Sequence, residues 1–353
     1  MIPISVCTIC KNEEKHLENF LTKLRKYDWE IIFVDTGSND HSKKIASKYV
    51  DQLFDYKWNN DFSAARNFSI SKATNDHILI LDCDEYLADA NIEQLVSLMQ
   101  KHPHDLGKIF INNYYSLNDK VTNEQCWLER FFNRNFFHYE YAIHEQPTAS
   151  TNTTFISYNI PITIDHMGYN ISGQEAIAKT KRNLQILFKE LDKNPQNPYL
   201  LFQIGKSYKF IDDYESALQY YTQAIISPNF DPTLDYTQTL VCDYGDALLK
   251  LGKYEEALSL LNVYNFYDYC SDFHCLIGQI YFCNKKYLQA MLEFIKATNC
   301  DVSYVKDTND NIPFYNMGYI NELLGDTQSA LLHYKRCHDF PMAEERIQLL
   351  TQK

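Results

Sequence analysis

The sequence has no long apolar run, and that absence excludes one class of protein. None of its apolar segments approaches the roughly 20 residues that a membrane-spanning helix needs. The first ten residues, MIPISVCTIC, contain no basic segment followed by an apolar one, so we expect no signal peptide. Hydrophobic residues make up 45% of the 353-residue chain and charged residues 22%, as in ordinary globular proteins. A chain of this length favours two domains.

Positive charge is also scarce. The chain has 33 lysines and arginines against 46 aspartates and glutamates, a net charge of −13. A nucleic-acid partner would need a basic surface to neutralise its phosphates, so we do not expect one. An acidic protein can still hold a single phosphorylated ligand through a local basic group or a metal ion.

The ten cysteines lack a regular spacing. Without an export signal, this pattern predicts reduced thiols and a cytoplasmic location. Cys7 and Cys10 form a CxxC, but both lie in an apolar opening strand. Further zinc ligands do not follow at a suitable spacing, so we expect no zinc site there.

The first half of the chain alternates strand-like and helix-like segments. Strand patterns cover residues 4–9, 30–34, 52–58 and 77–81, and helix patterns cover 13–26, 41–49 and 61–73. This alternation predicts βαβ units, and thus a Rossmann-like α/β domain with a mainly parallel sheet over residues 1–190. In such sheets ligands bind outside the carboxyl ends of the strands.

The second half has a helical repeat. Four glycines are each followed by an alanine twelve residues later: Gly205 and Ala217, Gly245 and Ala257, Gly278 and Ala290, Gly318 and Ala330. An apolar or aromatic residue precedes three of these glycines by four positions, and His274 is the exception. A large residue follows each alanine by four positions (Tyr221, Leu261, Phe294, Tyr334).

This is the tetratricopeptide pattern, in which small residues let two antiparallel helices approach closely. It predicts an all-α tetratricopeptide-like domain over 191–353, with about four repeats. Stacked repeats usually form a concave surface for a peptide or protein. The alternative is an appendage for stability or dimerisation, and a homodimer through the repeats is a second expectation.

Three carboxylates follow the apolar run 78–81 within four residues: Asp82, Asp84 and Glu85. Bare carboxylates would repel a nucleotide diphosphate, but a divalent cation between them reverses this, because hard cations prefer carboxylate and phosphate oxygens. Such a cation also stabilises the diphosphate as it leaves. The alternative is a solvated turn or a helix cap.

Four segments in the first 90 residues carry a family resemblance: CTICKNEE, FVDTGSND, DFSAARN and LDCDE, in that order. Together they resemble the family 2 glycosyltransferases of the GT-A fold. The resemblance implies a nucleotide-sugar donor, here a UDP-sugar, and a divalent metal such as Mn²⁺ or Mg²⁺. It also implies roles for six residues: Thr8, Glu13 and Asp35 on the base and ribose, Arg66 near the diphosphate, Asp82 on the ribose or metal, and Asp84 on the metal.

The chemical types agree with these roles. Carboxylates accept hydrogen bonds from ribose hydroxyls and uracil N–H groups, and arginine matches phosphate oxygens with two parallel bonds. The alternative for Asp35 is a helix cap in an ordinary αβ turn. For Arg66 the alternative is a surface cation on its helix.

Further polar segments lie at 129–134, 142–147, 164–169 and 179–183. An inverting transfer needs a base on the acceptor side, and Glu145 is our first choice, with His144 as its rival. His166 is a candidate third metal ligand, and Lys181 and Arg182 are candidates for neutralising the diphosphate. Each histidine could instead be a hydrogen-bonded core residue. Glu145 could instead pair with an arginine at position 130 or 134.

The complete motif order, followed by the helical repeats, resembles the bacterial glycosyltransferases that modify glycocin-type bacteriocin peptides. This implies an inverting transfer from a UDP-sugar to a Cys or Ser side chain of a peptide or protein, held partly by the repeats. The same order occurs in relatives that act on cell-envelope polysaccharide or lipid-linked acceptors, which is the first alternative. The second is a non-catalytic repeat scaffold that binds nucleotide sugar.

Overall fold

A computed structural model describes residues 3–117, 120–151, 154–167 and 173–352. The chain divides into two compact units, residues 1–186 and 187–353. The first contains a mixed sheet with flanking helices, and the second consists of helices. The predicted order, an α/β domain followed by an all-α repeat region, is confirmed. Among the described residues, no helix is both long and apolar enough to cross a membrane.

The four strands and three helices predicted between residues 4 and 81 are present in the first unit with shifted ends, and further strands and helices follow them. The strands are β1 (Ile4–Cys10), β2 (Glu30–Asp35), β3 (Gln52–Asp55), β4 (His77–Ile80), β5 (Glu85–Ala90), β6 (Leu106–Leu117), β7 (Lys120–Asn133), β8 (Phe137–Glu140), β9 (Gln146–Ala149) and β10 (Ser157–His166). The helices are α1 (Glu14–Leu24), α2 (Ser42–Ala46), α3 (Phe62–Lys72), α4 (Ile92–Lys101) and α5 (Gly173–Lys193). Helix α2 is shorter than the predicted 41–49, and strand β3 ends before the predicted residue 58.

Eight strands form one sheet in the order β3-β2-β1-β4-β7-β6-β10-β5. Strands β1 to β4 run parallel, as predicted from the βαβ alternation. The later strands are mixed, because β7 pairs antiparallel with both β4 and β6, and β5 pairs antiparallel with β10. Since β1 lies between β2 and β4, the carboxyl ends of these three parallel strands lie side by side.

The opening strand β1 is buried on both faces, which explains its CxxC. Side chains alternate across a strand, so Cys7 and Cys10 point to opposite faces. Cys10 packs in one hydrophobic cluster with Val6 and Leu81, whereas Cys7 packs in another with Ile80. The two thiols therefore do not form one site, and burial raises the pKa of Cys7 above its ordinary value.

The second unit is a series of antiparallel helices. They are α6 (Pro198–Phe210), α7 (Tyr214–Ile225), α8 (Asp235–Lys250), α9 (Tyr254–Ala257), α10 (Tyr264–Tyr267), α11 (Ser271–Cys283), α12 (Tyr287–Ala297), α13 (Asn311–Leu323), α14 (Thr327–Tyr334) and α15 (Pro341–Thr351). A 3₁₀ helix, Leu258–Val263, follows α9 directly.

The repeated glycines make the close contacts that the pattern predicts. A Cβ atom added to Gly205 would lie 2.3 Å from the ring of Tyr221, and one on Gly278 would lie 2.7 Å from the ring of Phe294. Both distances are far shorter than real carbon contacts, so a side chain cannot be added without moving the neighbouring helix. Glycine therefore permits the ring to pack directly on the backbone.

The second repeat departs from the pattern by one residue. A Cβ on Gly245 would meet Leu260 and Leu276, not the predicted Leu261. The 3₁₀ helix after α9 turns more tightly than an α-helix, and it brings Leu260 inward. The spacing read from the sequence was thus wrong by one position here.

Candidate functional site

Polar side chains follow the carboxyl ends of β1, β2 and β4. The carboxylate of Asp35, at the end of β2, accepts the N–H groups of Gly37 and Ser38 on Oδ2, at 3.1 and 3.0 Å. Its Oδ1 is buried and has no hydrogen-bond partner within the described ranges. Asp35 therefore shapes the turn after β2 and does not cap α2, which begins at Ser42, while one of its acceptor oxygens stays without a partner in the described ranges.

Glu13 follows β1 and lies among other charges. Burial and the negative charge of Asp84 raise its pKa to about 7, and the positive charge of Lys179 opposes this rise. Asp82 contributes in the same direction as Asp84. The carboxylates after β1 and β4 thus share one electrostatic environment, and a positively charged side chain of α5 faces it.

Thr8 lies inside strand β1 and has no exposed surface. Its hydroxyl oxygen lies 3.7 Å from the sulfur of Cys83, the residue between the two aspartates. The predicted contact of Thr8 with a nucleotide base stays a prediction. In this structure the side chain packs beneath the segment that follows β4.

Two of the three carboxylates after β4 are held by arginines. Oδ1 of Asp82 accepts from Arg66 at 2.9 Å, and its Oδ2 accepts from Arg130 at 3.4 Å. Arg130 also donates to Glu85 at 3.1 Å, and Glu85 accepts the backbone N–H of Asp82 at 2.9 Å. Burial alone would raise the pKa of Asp82, but the guanidinium groups of Arg66 and Arg130 lower it to about 2. Through its bonds to Arg130 and to the backbone of Asp82, Glu85 therefore orients the segment 82–85.

Asp84 has a different partner. Its Oδ2 lies 3.4 Å from Nε2 of His166. The two residues are 82 positions apart in sequence, and the register of β5 with β10, which places His166 opposite Glu85, brings them together. Nδ1 of His166 lies 2.8 Å from the amide oxygen of Asn113. Burial opposes a charged imidazole, but Asp84 raises the pKa of His166 above its usual value.

Asp84 and His166 form the part of the predicted metal site that fits a divalent cation. In the described ranges, no group of three or more His, Cys, Asp or Glu side chains is arranged to hold a metal ion. Magnesium-type ions, however, often bind through one or two protein carboxylates, with substrate phosphates and water completing the shell. A metal-binding histidine usually has its other ring nitrogen oriented by an oxygen acceptor, and the amide oxygen of Asn113 is in that position for His166. Asp82 as a ligand stays a prediction, and it would require exchange of an arginine contact.

Arg66, on α3, lies between the donor-side and acceptor-side candidates. Its Nε donates to Oε1 of Glu145 at 2.7 Å, and its Nη2 donates to Asp82. Arg66 is only 4% exposed, so it is not the surface cation of the alternative reading. Glu145 does form an ion pair, but with Arg66, not with an arginine at 130 or 134. The side chain of Glu145 keeps 13% of its surface exposed.

The loop 141–145 is fixed to the start of α3. The carbonyl of Ala142 accepts the N–H of Phe62 at 2.8 Å, and Ala142 and Ile143 are buried. Tyr141 and His144 both have left-handed backbone angles, with φ of 69° and 54°. Non-glycine residues adopt this region at an energetic cost and cluster at functional sites. His144 is exposed next to Glu145.

The cations of α5 have different surroundings, and the predicted role of Lys181 and Arg182 at the diphosphate stays a prediction. Arg182 is an exposed residue whose guanidinium lies 5.8 Å from the ring of Phe62, and partial burial of this group lowers its pKa. Lys179 and Lys181 are both exposed on the same helix, and the charge of Lys179, which the sequence analysis did not select, lowers the pKa of Glu13. Lys179 and Arg182 are three residues apart, the spacing that places two side chains on one helix face. Residues 168 and 169 of the segment HMGY lie outside the described residues.

Two protein families match parts of this chain. Residues 5–159 match the protein family described as Glycosyl transferase family 2. Residues 198–225 match the Tetratricopeptide repeat family. The first match covers the sheet-containing unit up to the start of β10, and the second covers the helix pair α6 and α7.

Two curated relatives are each named for one of these features, one as a glycosyltransferase and the other as a protein with TPR repeats. The SPbeta prophage-derived glycosyltransferase SunS of Bacillus subtilis is 27% identical over 223 residues, which are 62% of this chain and 52% of SunS. A TPR repeat-containing protein of Synechococcus elongatus is 27% identical over 275 residues, 73% of this chain and 66% of that protein. The chain thus spans about half the length of the first relative. Among solved structures, MamA matches 50% of this chain and 97% of its own, at 17% identity and a TM-score of 0.40.

Proposed function

Because the chain carries a family 2 glycosyltransferase domain followed by a tetratricopeptide-repeat region, we propose that it is an inverting, metal-dependent glycosyltransferase. Its donor is a UDP-sugar, and its acceptor is a Cys or Ser side chain of a peptide or protein. The observation that carries the proposal is the cluster at the carboxyl ends of β1, β2 and β4. There Asp84 and His166 lie together, beside Glu13 and near the buried pair of Arg66 with Asp82.

The donor side of the cluster suits a nucleoside diphosphate. The unpartnered Oδ1 of Asp35 and the carboxyl of Glu13 are acceptors for ribose hydroxyls and the uracil N–H. Asp84 and His166 would hold the divalent cation, which when bound stabilises the negative charge of the departing diphosphate. Lys179 and Arg182 of α5 supply positive charge to the same region, and Lys181 keeps the role predicted for it.

The acceptor side has Glu145 as its base. A general base must reach the nucleophile's proton in a fixed orientation, and Arg66 gives Glu145 that orientation through Oε1. The exposed part of the side chain leaves it accessible to an incoming hydroxyl or thiol. His144 remains the rival base, because it is exposed and directly precedes Glu145 in the loop 141–145.

The peptide acceptor is supported by the motif order and by the helical repeats, since stacked helix pairs usually present a surface for an extended chain. A cytoplasmic location and a homodimer through the repeats stay predictions. Cell-envelope glycans and lipid-linked glycans are the competing acceptors, and they form separate arms of the test below.

The test is mass spectrometry of acceptors after incubation with the full chain, Mn²⁺ and a donor panel of UDP-glucose, UDP-galactose and UDP-N-acetylglucosamine. The acceptors are synthetic peptides containing Cys or Ser, and a lipid-linked glycan preparation. The proposal expects a peptide to gain the mass of one hexose or N-acetylhexosamine, and Asp84→Asn to lose this product. Modification of the lipid-linked glycan alone would replace the acceptor. UDP binding with no product in any arm would favour the scaffold.

A further inference from the structure

Arg66 joins two carboxylates that belong to different parts of the first unit. Asp82 follows β4, and Glu145 lies in the loop before β9, 63 residues further along the chain. The guanidinium of Arg66 donates to both, through Nη2 at 2.9 Å and Nε at 2.7 Å. A single planar group therefore sets the separation between the segment expected to hold the donor and the residue expected to act as base.

Burial makes this contact costly to rearrange. Burial disfavours the charge of Arg66, but Asp82 and Glu145 outweigh it and raise the pKa of Arg66 well above its usual value. The ring of Tyr139 lies 5.7 Å from the guanidinium carbon and covers one face of it. Since a buried guanidinium is stabilised only where it is paired, its position is determined by both carboxylates together.

The donor side of this link is itself fixed. Arg130 bonds the second oxygen of Asp82 and also bonds Glu85, so Asp82 is held from both sides. Among the described residues, Arg130 forms ion pairs with the carboxylates of Asp82 and Glu85 and not with that of Glu145. The two arginines therefore make different links. Arg130 joins Asp82 to Glu85, and Arg66 joins Asp82 to Glu145.

We propose that Arg66 is a positioning residue that couples the donor side of the site to the base, by holding Glu145 at a fixed place relative to Asp82. This rests on the proposed function, in which Glu145 removes the acceptor's proton. It differs from the role implied by the family resemblance, which places Arg66 near the diphosphate. The geometric requirement is two N–H groups of one rigid fork, which lysine does not offer.

The test compares Arg66→Lys with Arg130→Lys in the full chain, using the UDP-sugar and peptide that give product in the panel above. Lysine keeps the positive charge but can no longer orient both carboxylates. We expect Arg66→Lys to lower kcat by about 30-fold or more, with the donor KM changed by about threefold or less. Arg130→Lys, which does not touch Glu145, should change the donor KM more than kcat.

A double-mutant cycle supplies the decisive comparison. If Arg66 acts through Glu145, Arg66→Lys should cause no further loss of kcat in the Glu145→Gln background. The proposal would be overturned if the losses of kcat in the two single variants multiplied in the double variant. A rise in the donor KM of Arg66→Lys with kcat unchanged would overturn it too. If Arg66→Lys does not fold, a cycle of Asp82→Asn with Glu145→Gln replaces this experiment. Because Arg66 links the two carboxylates, we expect the effects of these two substitutions on kcat to depend on each other. Independent effects on kcat would refute the proposal.

The proposed function can fail separately. Normal turnover by Glu145→Gln, or no product from the unmodified chain in any arm, would overturn that function and this inference with it. Normal kcat in Arg66→Lys, with Glu145→Gln inactive, would overturn the inference alone.

Discussion

Buried carboxylates in the two units have different surroundings. In the helical unit, Glu293 accepts from Tyr264 at 2.8 Å and lies 2.8 Å from Nδ1 of His274 on one oxygen, and it accepts from Lys296 at 2.7 Å on the other. Asp272 likewise accepts the N–H groups of Tyr304 and Val305 on its two oxygens. Both side chains thus have partners for both oxygens.

At the sheet edge, arginines match Asp82 and Glu85 in the same way, but the balance is incomplete at Asp35 and Glu13. Among the described residues, Oδ1 of Asp35 is buried without a hydrogen-bond partner. Burial, together with neighbouring negative charges, raises the pKa of Glu13 to about 7. A carboxylate that only stabilises a fold is expected to have its charge matched by the protein. Carboxylates that are incompletely matched are instead expected where a cation or hydrogen-bond donor arrives with a ligand. The difference predicts which substitutions affect activity and which affect stability.

The largest expected effect is on turnover. Glu145→Gln keeps the size of the side chain but removes the base, so transfer should fall about 10³-fold, within the range of general-base catalysis. Binding of UDP should change little, whereas the midpoint of thermal unfolding should fall, because the buried Arg66 loses one of its two charged partners. The measurement is steady-state transfer beside calorimetric UDP binding, and Glu140→Gln, an exposed glutamate in the same unit, serves as the control. Near-normal turnover would show that Glu145 is not the base and would favour His144.

A smaller effect, on stability, is expected in the helical unit. Glu293→Gln leaves His274 and Lys296 without their charged partner, and we expect the free energy of unfolding of this unit to fall by about 2 kcal/mol. All three tryptophans (Trp29, Trp58 and Trp127) lie in the first unit, so their fluorescence follows that unit during urea unfolding while circular dichroism follows the helices. UDP binding should stay unchanged. An unaltered helical transition, with Glu255→Gln as the exposed control, would contradict the contrast between the units.

The smallest expected effect is an increase, not a decrease, in the free energy of unfolding. The pKa of Glu13 is about 7 in the fold against 4.5 ordinarily, so its contribution to stability is present below about pH 4.5 and is lost as the pH rises through 7. Glu13→Gln should therefore raise the free energy of unfolding of the first unit by about 1 kcal/mol at pH 8, after allowance for solvent screening, and by less at pH 5. Tryptophan fluorescence in urea at both pH values measures this.

Glu14, the neighbour of Glu13 in the sequence, provides a matched control. Glu14 accepts the backbone N–H of His41 at 2.9 Å, and this bond lowers its pKa. Glu14→Gln should therefore decrease stability at pH 8, where Glu13→Gln increases it. Destabilisation by Glu13→Gln would mean that Glu13 stabilises the fold and does not await a ligand.

Much of the donor side could be predicted from the sequence. An apolar run followed by DCDE requires a buried strand whose end has charged residues, and strand order then brings Asp35 and Glu13 to the same edge. His166 beside Asp84 was also anticipated, because histidine completes a carboxylate site, although no spacing rule connects residues 82 positions apart.

The links between segments could not be predicted. The contact of Arg66 with Glu145 spans 79 residues and depends on how the loop 141–145 packs on α3. Lys179 was missed because its neighbours Lys181 and Arg182 were chosen by charge alone, without regard to which face of α5 they share. His274 was read as an exception to the repeat, and its partner Glu293 became evident only when α11 and α12 were placed side by side.

The central claim is that the cluster after β4 binds a nucleotide diphosphate with a divalent cation. Calorimetric titration of the full chain with UDP, with and without Mn²⁺, tests it most directly, with Asp84→Asn and Glu293→Gln as the two variants. We predict UDP binding that requires Mn²⁺, is weakened by about tenfold or more in Asp84→Asn, and is unchanged in Glu293→Gln. UDP affinity that is the same without Mn²⁺ and in Asp84→Asn would contradict the assignment of this cluster as the donor site.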